Sequence, residues 1–110
     1  MRVGFAAINK GSTTVDGITT KVVKNGVRQF TGTDRTNFFT NLYDHDIPAA
    51  GTPLREATIS VGEYFKRTDD QGPWGQTPGS TGGTQHECRQ NFNILMTDGY
   101  WTEGSISGMD

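Results

Sequence analysis

Arg2-Val3-Gly4-Phe5-Ala6-Ala7-Ile8-Asn9 is a short, almost continuously apolar run. That is the pattern of a strand covered on both faces, and so of a parallel-sheet interior. The chain reaches this run at once, without the basic and then apolar stretches of a secretory signal. No run of about 18 apolar residues follows that could cross a bilayer as a helix. Taken alone, the sequence reads as soluble and untargeted.

Outward from that run, Lys21-Val22-Val23-Lys24 and Val27-Arg28-Gln29-Phe30 flank Asn25-Gly26. This pair tolerates the positive φ angles of a type I′ turn, so a hairpin is expected there. Asp34 is placed to cap a helix whose Phe38, Phe39, Leu42 and Tyr43 share one face, ending near Asp44-His45-Asp46. In Gly51-Thr52-Pro53, Thr52 is placed to cap a second helix and Pro53 to stand first in it. Leu54, Ala57, Thr58, Val61 and Phe65 form its buried stripe. From Lys66 to Gln90 the composition turns to Gly, Pro, Thr, Asp and Gln, which reads as a long surface insertion. Asn91-Phe92-Asn93-Ile94-Leu95-Met96 returns to strand character before Thr97-Asp98-Gly99, and Glu103 to Asp110 reads as a frayed end. The order strand, hairpin, helix, helix, strand favours an α/β layer fold.

Composition narrows the function. Ten Lys plus Arg against twelve Asp plus Glu leave no basic stripe for nucleic acid or an anionic membrane surface. At 32% hydrophobic with fifteen glycines, 110 residues suffice for one loop-heavy or incomplete domain. The lone Cys88 excludes an intrachain disulfide and is either a buried thiol or a bond to a partner.

In α/β folds ligands bind beyond the carboxyl ends of strands, where helix N-termini also point. Asp98 stands at such a strand end and Thr52 at such a helix start, so a carboxylate and a hydroxyl would face one crevice. Each also has a plain structural role, Thr52 as a cap and Asp98 as a turn residue. Asp44-His45-Asp46 and the pair His86 and Cys88 fall short of a zinc set, which takes three or four ligands at recognisable spacings. Trp74, Tyr100 and Trp101 are expected to anchor loops to the core. Nucleophile-elbow and phosphate-cradling motifs are absent, so an enzyme is the lesser reading. In that reading Asp98 and the Asp44-His45-Asp46 cluster would be metal ligands.

With these residues in place, Ile47-Pro48-Ala49-Ala50-Gly51-Thr52-Pro53-Leu54-Arg55-Glu56-Ala57 resembles the Gly-Thr helix start of von Willebrand factor A domains. Ile94-Leu95-Met96-Thr97-Asp98-Gly99 resembles their strand end. Nearly the whole chain resembles pilus-tip proteins of the PilY family through four stretches: Thr14-Val15-Asp16-Gly17, Phe30-Thr31-Gly32-Thr33-Asp34-Arg35-Thr36, Gly72-Pro73-Trp74-Gly75, and Cys88-Arg89-Gln90 leading to Met96-Thr97-Asp98-Gly99-Tyr100-Trp101.

The resemblance implies a partial doubly wound, Rossmann-like sheet over residues 1–110, lacking its first central strand. It implies a metal-ion-dependent adhesion site with Thr52 and Asp98 as ligands of Mg²⁺, or of Mn²⁺ or Ca²⁺. The first element of that site, Asp-x-Ser-x-Ser, does not occur here. Its nearest imitation, Glu103-Gly104-Ser105-Ile106-Ser107, follows the wrong strand. Two oxygen ligands rarely hold Mg²⁺ alone, so metal binding is expected of the complete domain. Loss of a central strand would leave two strands with unpaired edges facing a gap, open to self-association. The function implied is adhesion and assembly at a type IV pilus tip on the cell surface or outer membrane. Its partners would be pilus proteins and a host-surface or extracellular ligand. A metal-free segment that docks neighbouring domains is a further reading.

Overall fold

The first apolar run forms β1 (Arg2–Ala6), and its neighbour is β4 (Val23–Gln29), running antiparallel to it. Between them lie β2 (Thr13–Val15) and β3 (Ile18–Thr20), paired antiparallel with each other, and after them come α1 (Gly32–Tyr43) and α2 (Leu54–Phe65). The computed structural model describes residues 1–8 and 10–104; Asn9 and the Ser105 to Asp110 end lie outside them. Among the described residues the architecture is mixed α/β with two antiparallel two-stranded sheets. The expected parallel pairing of β1 is therefore corrected. Among the described residues β1 mixes half-buried and exposed positions and meets no parallel partner.

The hairpin also moves. Its two-residue turn is Asp16-Gly17, with φ of 51° and 79°, the positive pair that a type I′ connection requires. Asn25-Gly26 instead lies inside β4, opposite a register irregularity in β1. Gly26 does not take a positive φ; it leaves room for the Asp16 carboxylate, which a Cβ there would strike. The Asp16 carboxylate in turn binds the Arg28 guanidinium, and the Asp16 carbonyl accepts from Arg67 Nη2 at 2.6 Å.

α1 begins at Gly32, two residues before the expected cap, with Thr31 in the cap position and Asp34 in the first turn. Its end at Tyr43 agrees with expectation. Phe38 meets Phe5 and Phe30 edge-on at 6.2 Å and 5.3 Å, an arrangement that favours aromatic pairs beyond their area alone. No α1 residue is fully buried, and Leu42 and Tyr43 are exposed.

α2 supplies more of the core. Leu54, Ala57 and Tyr64 are buried with Val22 and Val23 of the β3–β4 junction, which the Thr20 hydroxyl fixes by accepting from both valine N–H groups. Of the expected stripe, Thr58, Val61 and Phe65 are only half-buried. Tyr64 takes their place: its hydroxyl accepts the Val27 N–H at 2.9 Å.

The stretch 66–90 has no helix or strand, yet its middle is packed. Pro73 is fully enclosed, the Trp74 indole N–H donates to the Phe65 carbonyl at 2.6 Å, and Arg89 donates to the carbonyls of Pro73 and Gly75. The turn-rich composition thus builds a wall against the end of α2. Residues 91–96, expected as a strand, form none. Phe92, Ile94, Leu95 and Met96 stand exposed, because no neighbour among the described residues offers its backbone a ladder.

Candidate functional site at the start of the second helix

The first turn of a helix carries N–H groups without intrahelical partners. At α2 Thr52 does not cap them: Pro53 holds the cap position and no side-chain cap bond is made there. The expectation for Thr52 and Pro53 is corrected by one residue, because the Thr52 carbonyl accepts from Leu54 in a tight turn at 2.9 Å before the helix begins. The orphan donors are met from the far end of the chain. The Glu103 carboxylate accepts from the backbone N–H groups of Arg55 and Glu56, a placement that the positive end of the helix dipole favours.

Beside it, the Thr52 N–H donates to the Thr102 hydroxyl at 2.6 Å, and the Thr102 N–H returns a bond to the Thr52 carbonyl at 3.2 Å. Arg55 Nη1 reaches the Gly104 carbonyl at 3.4 Å. Residues 102–104 thus run as a strap along the start of α2. Asp98 stands exposed outside this strap, four residues before Thr102, a distance of at most ~14 Å along extended chain. Thr97 shapes the turn there by exchanging hydrogen bonds with Gly99. Thr52 and Asp98 are joined by no direct hydrogen bond; the residues brought onto Thr52 are Thr102 and Glu103. In the sequence Glu103 reads as the start of a frayed end and as part of a motif imitation, whose Ser105 and Ser107 lie outside the described residues.

Thr52 and Asp98 offer oxygen donors, the type that Mg²⁺ takes, but two are too few for an all-protein cage. Among the described residues no group of three His, Cys, Asp or Glu side chains is gathered. His45 lies against Lys24 and Phe5, and His86 is held through its backbone to Trp74 and Arg89. Cys88 is an exposed free thiol, which removes the buried alternative. Trp74 anchors its loop as expected, whereas Tyr100 and Trp101 are exposed at 90% and 54%. No helix among the described residues is long and apolar enough to cross a membrane.

Comparison with known proteins bears on the whole chain. It is 36% identical over 106 residues, 96% of its length, to the type IV pilus biogenesis factor PilY1 of Pseudomonas aeruginosa strain PAK. The chain belongs to the PilY1 family. To PilY1 of strain PAO1 it is 42% identical over 83 residues, and to that of strain UCBPP-PA14 28% identical over 83 residues. It spans only 7–9% of the length of these curated PilY1 relatives. No family model matches the chain, and no solved structure resembles it.

Proposed function

We propose that the chain is a segment of an adhesion and pilus-assembly module exposed at the tip of a type IV pilus, acting by binding and not by turnover. In this reading Thr52 and Asp98 are two oxygen ligands of a Mg²⁺ site, with Mn²⁺ or Ca²⁺ as substitutes, whose remaining ligands come from elsewhere in the longer protein. The observation that carries it is the strap along α2, which holds Thr52 against Thr102 and leaves the Asp98 carboxylate exposed four residues away. A hydroxyl at a helix start and a nearby free carboxylate suit a hard cation that keeps waters for an incoming acidic ligand to displace.

The same proposal gives the exposed residues 92–96 a place. Among the described residues β1 pairs with β4 alone, and 92–96 lies in no strand and exposes Phe92, Ile94, Leu95 and Met96. A strand supplied by the longer protein and lying between them would satisfy both edges and complete a doubly wound, von Willebrand factor A-like sheet.

The test is calorimetric titration of Mg²⁺, Mn²⁺ and Ca²⁺ into a chain extended upstream to include an Asp-x-Ser-x-Ser segment. Saturable binding that falls at least about ten-fold in Asp98→Ala and in Thr52→Ala is expected, since each variant loses one of few ligands. Unchanged affinity in both variants rejects the assignment.

A further inference from the structure

Glycine follows an aspartate or an asparagine at three places in the chain: Asp16-Gly17, Asn25-Gly26 and Asp98-Gly99. Each pair holds the atoms for one intramolecular reaction, because glycine has no Cβ to keep its backbone nitrogen away from the side-chain carbonyl carbon before it. We propose that Asp98 is a modification site, where the chain converts its own aspartate to isoaspartate, and that the fold confines this reaction to that pair.

The chemistry needs no cofactor. The Gly99 backbone nitrogen gives up its proton and bonds to Cγ of Asp98; a carboxyl oxygen leaves as one water, and a succinimide ring remains. Water then opens the ring at either carbonyl. Attack at the side-chain carbonyl restores aspartate. Attack at the main-chain carbonyl leaves isoaspartate, with the backbone running through the former side chain. At Asn25 the same closure would release ammonia in place of water.

Ring closure asks for a free side chain and a backbone able to bend onto it. Asp98 is exposed in a bend outside any helix or strand. A Cβ placed on Gly99 would meet nothing within 4 Å, so the space round its nitrogen is open. The Gly99 N–H reaches the Thr97 hydroxyl at 3.3 Å, long for such a bond. Asp16 is the opposite case. Its side chain is 5% exposed, and Arg28 holds both carboxylate oxygens, so it is not free to swing onto the Gly17 nitrogen. Asn25 is fixed in β4 opposite Phe5. Its Oδ1 accepts from Asn41 Nδ2 at 3.0 Å, its Nδ2 donates to the Gly26 carbonyl at 3.1 Å, and Gly26 is buried. Both pairs must open locally before they react, which slows them by the cost of that opening.

Isoaspartate moves a methylene from the side chain into the main chain and so displaces the carboxylate. If Asp98 is a metal ligand, the conversion removes it; this consequence alone rests on the function proposed above.

Trypsin separates the three pairs, since cleavage after Lys10, Lys21, Lys24, Arg28 and Arg89 leaves them in peptides 11–21, 25–28 and 90–110. The 110-residue chain is incubated at neutral pH, native and in urea, then digested, and isoaspartate is read in each peptide by chromatography and fragment mass spectra. In the native chain it should accumulate in 90–110 several-fold faster than in the other two, and in urea this preference should vanish. Gly99→Ala should slow the native reaction several-fold. Equal native rates, a preference that persists in urea, or an unchanged rate in Gly99→Ala would overturn the proposal. In the upstream-extended chain, saturating Mg²⁺ should protect Asp98; conversion that keeps its native preference but ignores Mg²⁺ supports the modification site and rejects Asp98 as a metal ligand.

Discussion

Arg28 grips the Asp16 carboxylate with both of its terminal nitrogens, Nη1 to Oδ2 at 3.0 Å and Nη2 to Oδ1. This pair ties the turn of the β2–β3 hairpin to β4. Asp16 is nearly enclosed, with 5% of its side chain exposed against 25% for Arg28. A bidentate pair of this kind has two parallel hydrogen bonds and little freedom to lose.

Asp16→Ala strands the Arg28 guanidinium beside the packed turns of the Gly-rich wall, where Gly79 lies against it. Removing one partner of a buried pair costs about 3–5 kcal/mol, and the partial exposure of Arg28 places the expected loss at roughly 2–3 kcal/mol. Urea unfolding of the variant, followed by far-ultraviolet circular dichroism, checks it. A loss below about 0.5 kcal/mol would mean that the pair is a surface contact.

Tyr64 gives a pH-dependent prediction. Burial, the largest cause, raises its phenol pKa, and the nearby Asp16 charge adds to this; the Val27 hydrogen bond and the charges of Arg28 and Arg67 oppose it. The neutral phenol is the form that the fold prefers. The stability it contributes is complete below the ordinary tyrosine value of about 10 and is lost as pH rises from there through the raised folded value. Tyr64→Phe should flatten this alkaline loss. At neutral pH it should also cost about 1–3 kcal/mol, because the Val27 N–H loses its acceptor. Thermal unfolding of both chains between neutral and alkaline pH separates the two effects.

Trp74 should act as the pin of the irregular wall. Trp74→Phe removes the indole bond to the Phe65 carbonyl but keeps an aromatic ring, so a loss of about 1 kcal/mol is expected. Proteolytic cleavage within 66–90 should quicken several-fold, since local opening is governed by local contacts. A digestion time course read by mass spectrometry decides it. Cleavage at an unchanged rate would show that the indole bond is not what holds the wall.

The sequence carried the elements better than their pairing. α1 and α2 were legible because Phe38, Phe39, Leu54 and Ala57 recur at helical spacing and Pro48 and Pro53 bound the gap between the helices. The hairpin was misplaced because the chain holds two turn-forming pairs, Asp16-Gly17 and Asn25-Gly26. Only the Asp16 carboxylate, folded back over Gly26, decides between them, and that is a tertiary contact. The same holds for Tyr64, whose place in the core follows from a long-range bond to Val27. Residues 92–96 look like a strand in composition, but strand formation needs a neighbour that local sequence does not encode. At the candidate site, the importance of the α2 start was readable from Gly51-Thr52-Pro53. The contribution of Thr102 and Glu103, about fifty residues away, was not.

Glu103 provides the sharpest separation between structure and the proposed metal chemistry. Its carboxylate satisfies the N–H groups of Arg55 and Glu56, the work of a helix cap, and replacing such a cap by alanine costs about 1 kcal/mol. Glu103→Ala should therefore speed amide exchange at Arg55 and Glu56 and release the strap, whereas Asp98→Ala, at an exposed carboxylate without a partner among the described residues, should leave both unchanged. Hydrogen exchange resolved by residue reads the difference. Equal protection of Arg55 and Glu56 in the parent chain and in Glu103→Ala would show that water serves the helix start as well as the carboxylate does. The strap would then rest on the bonds between Thr52 and Thr102 without help from Glu103.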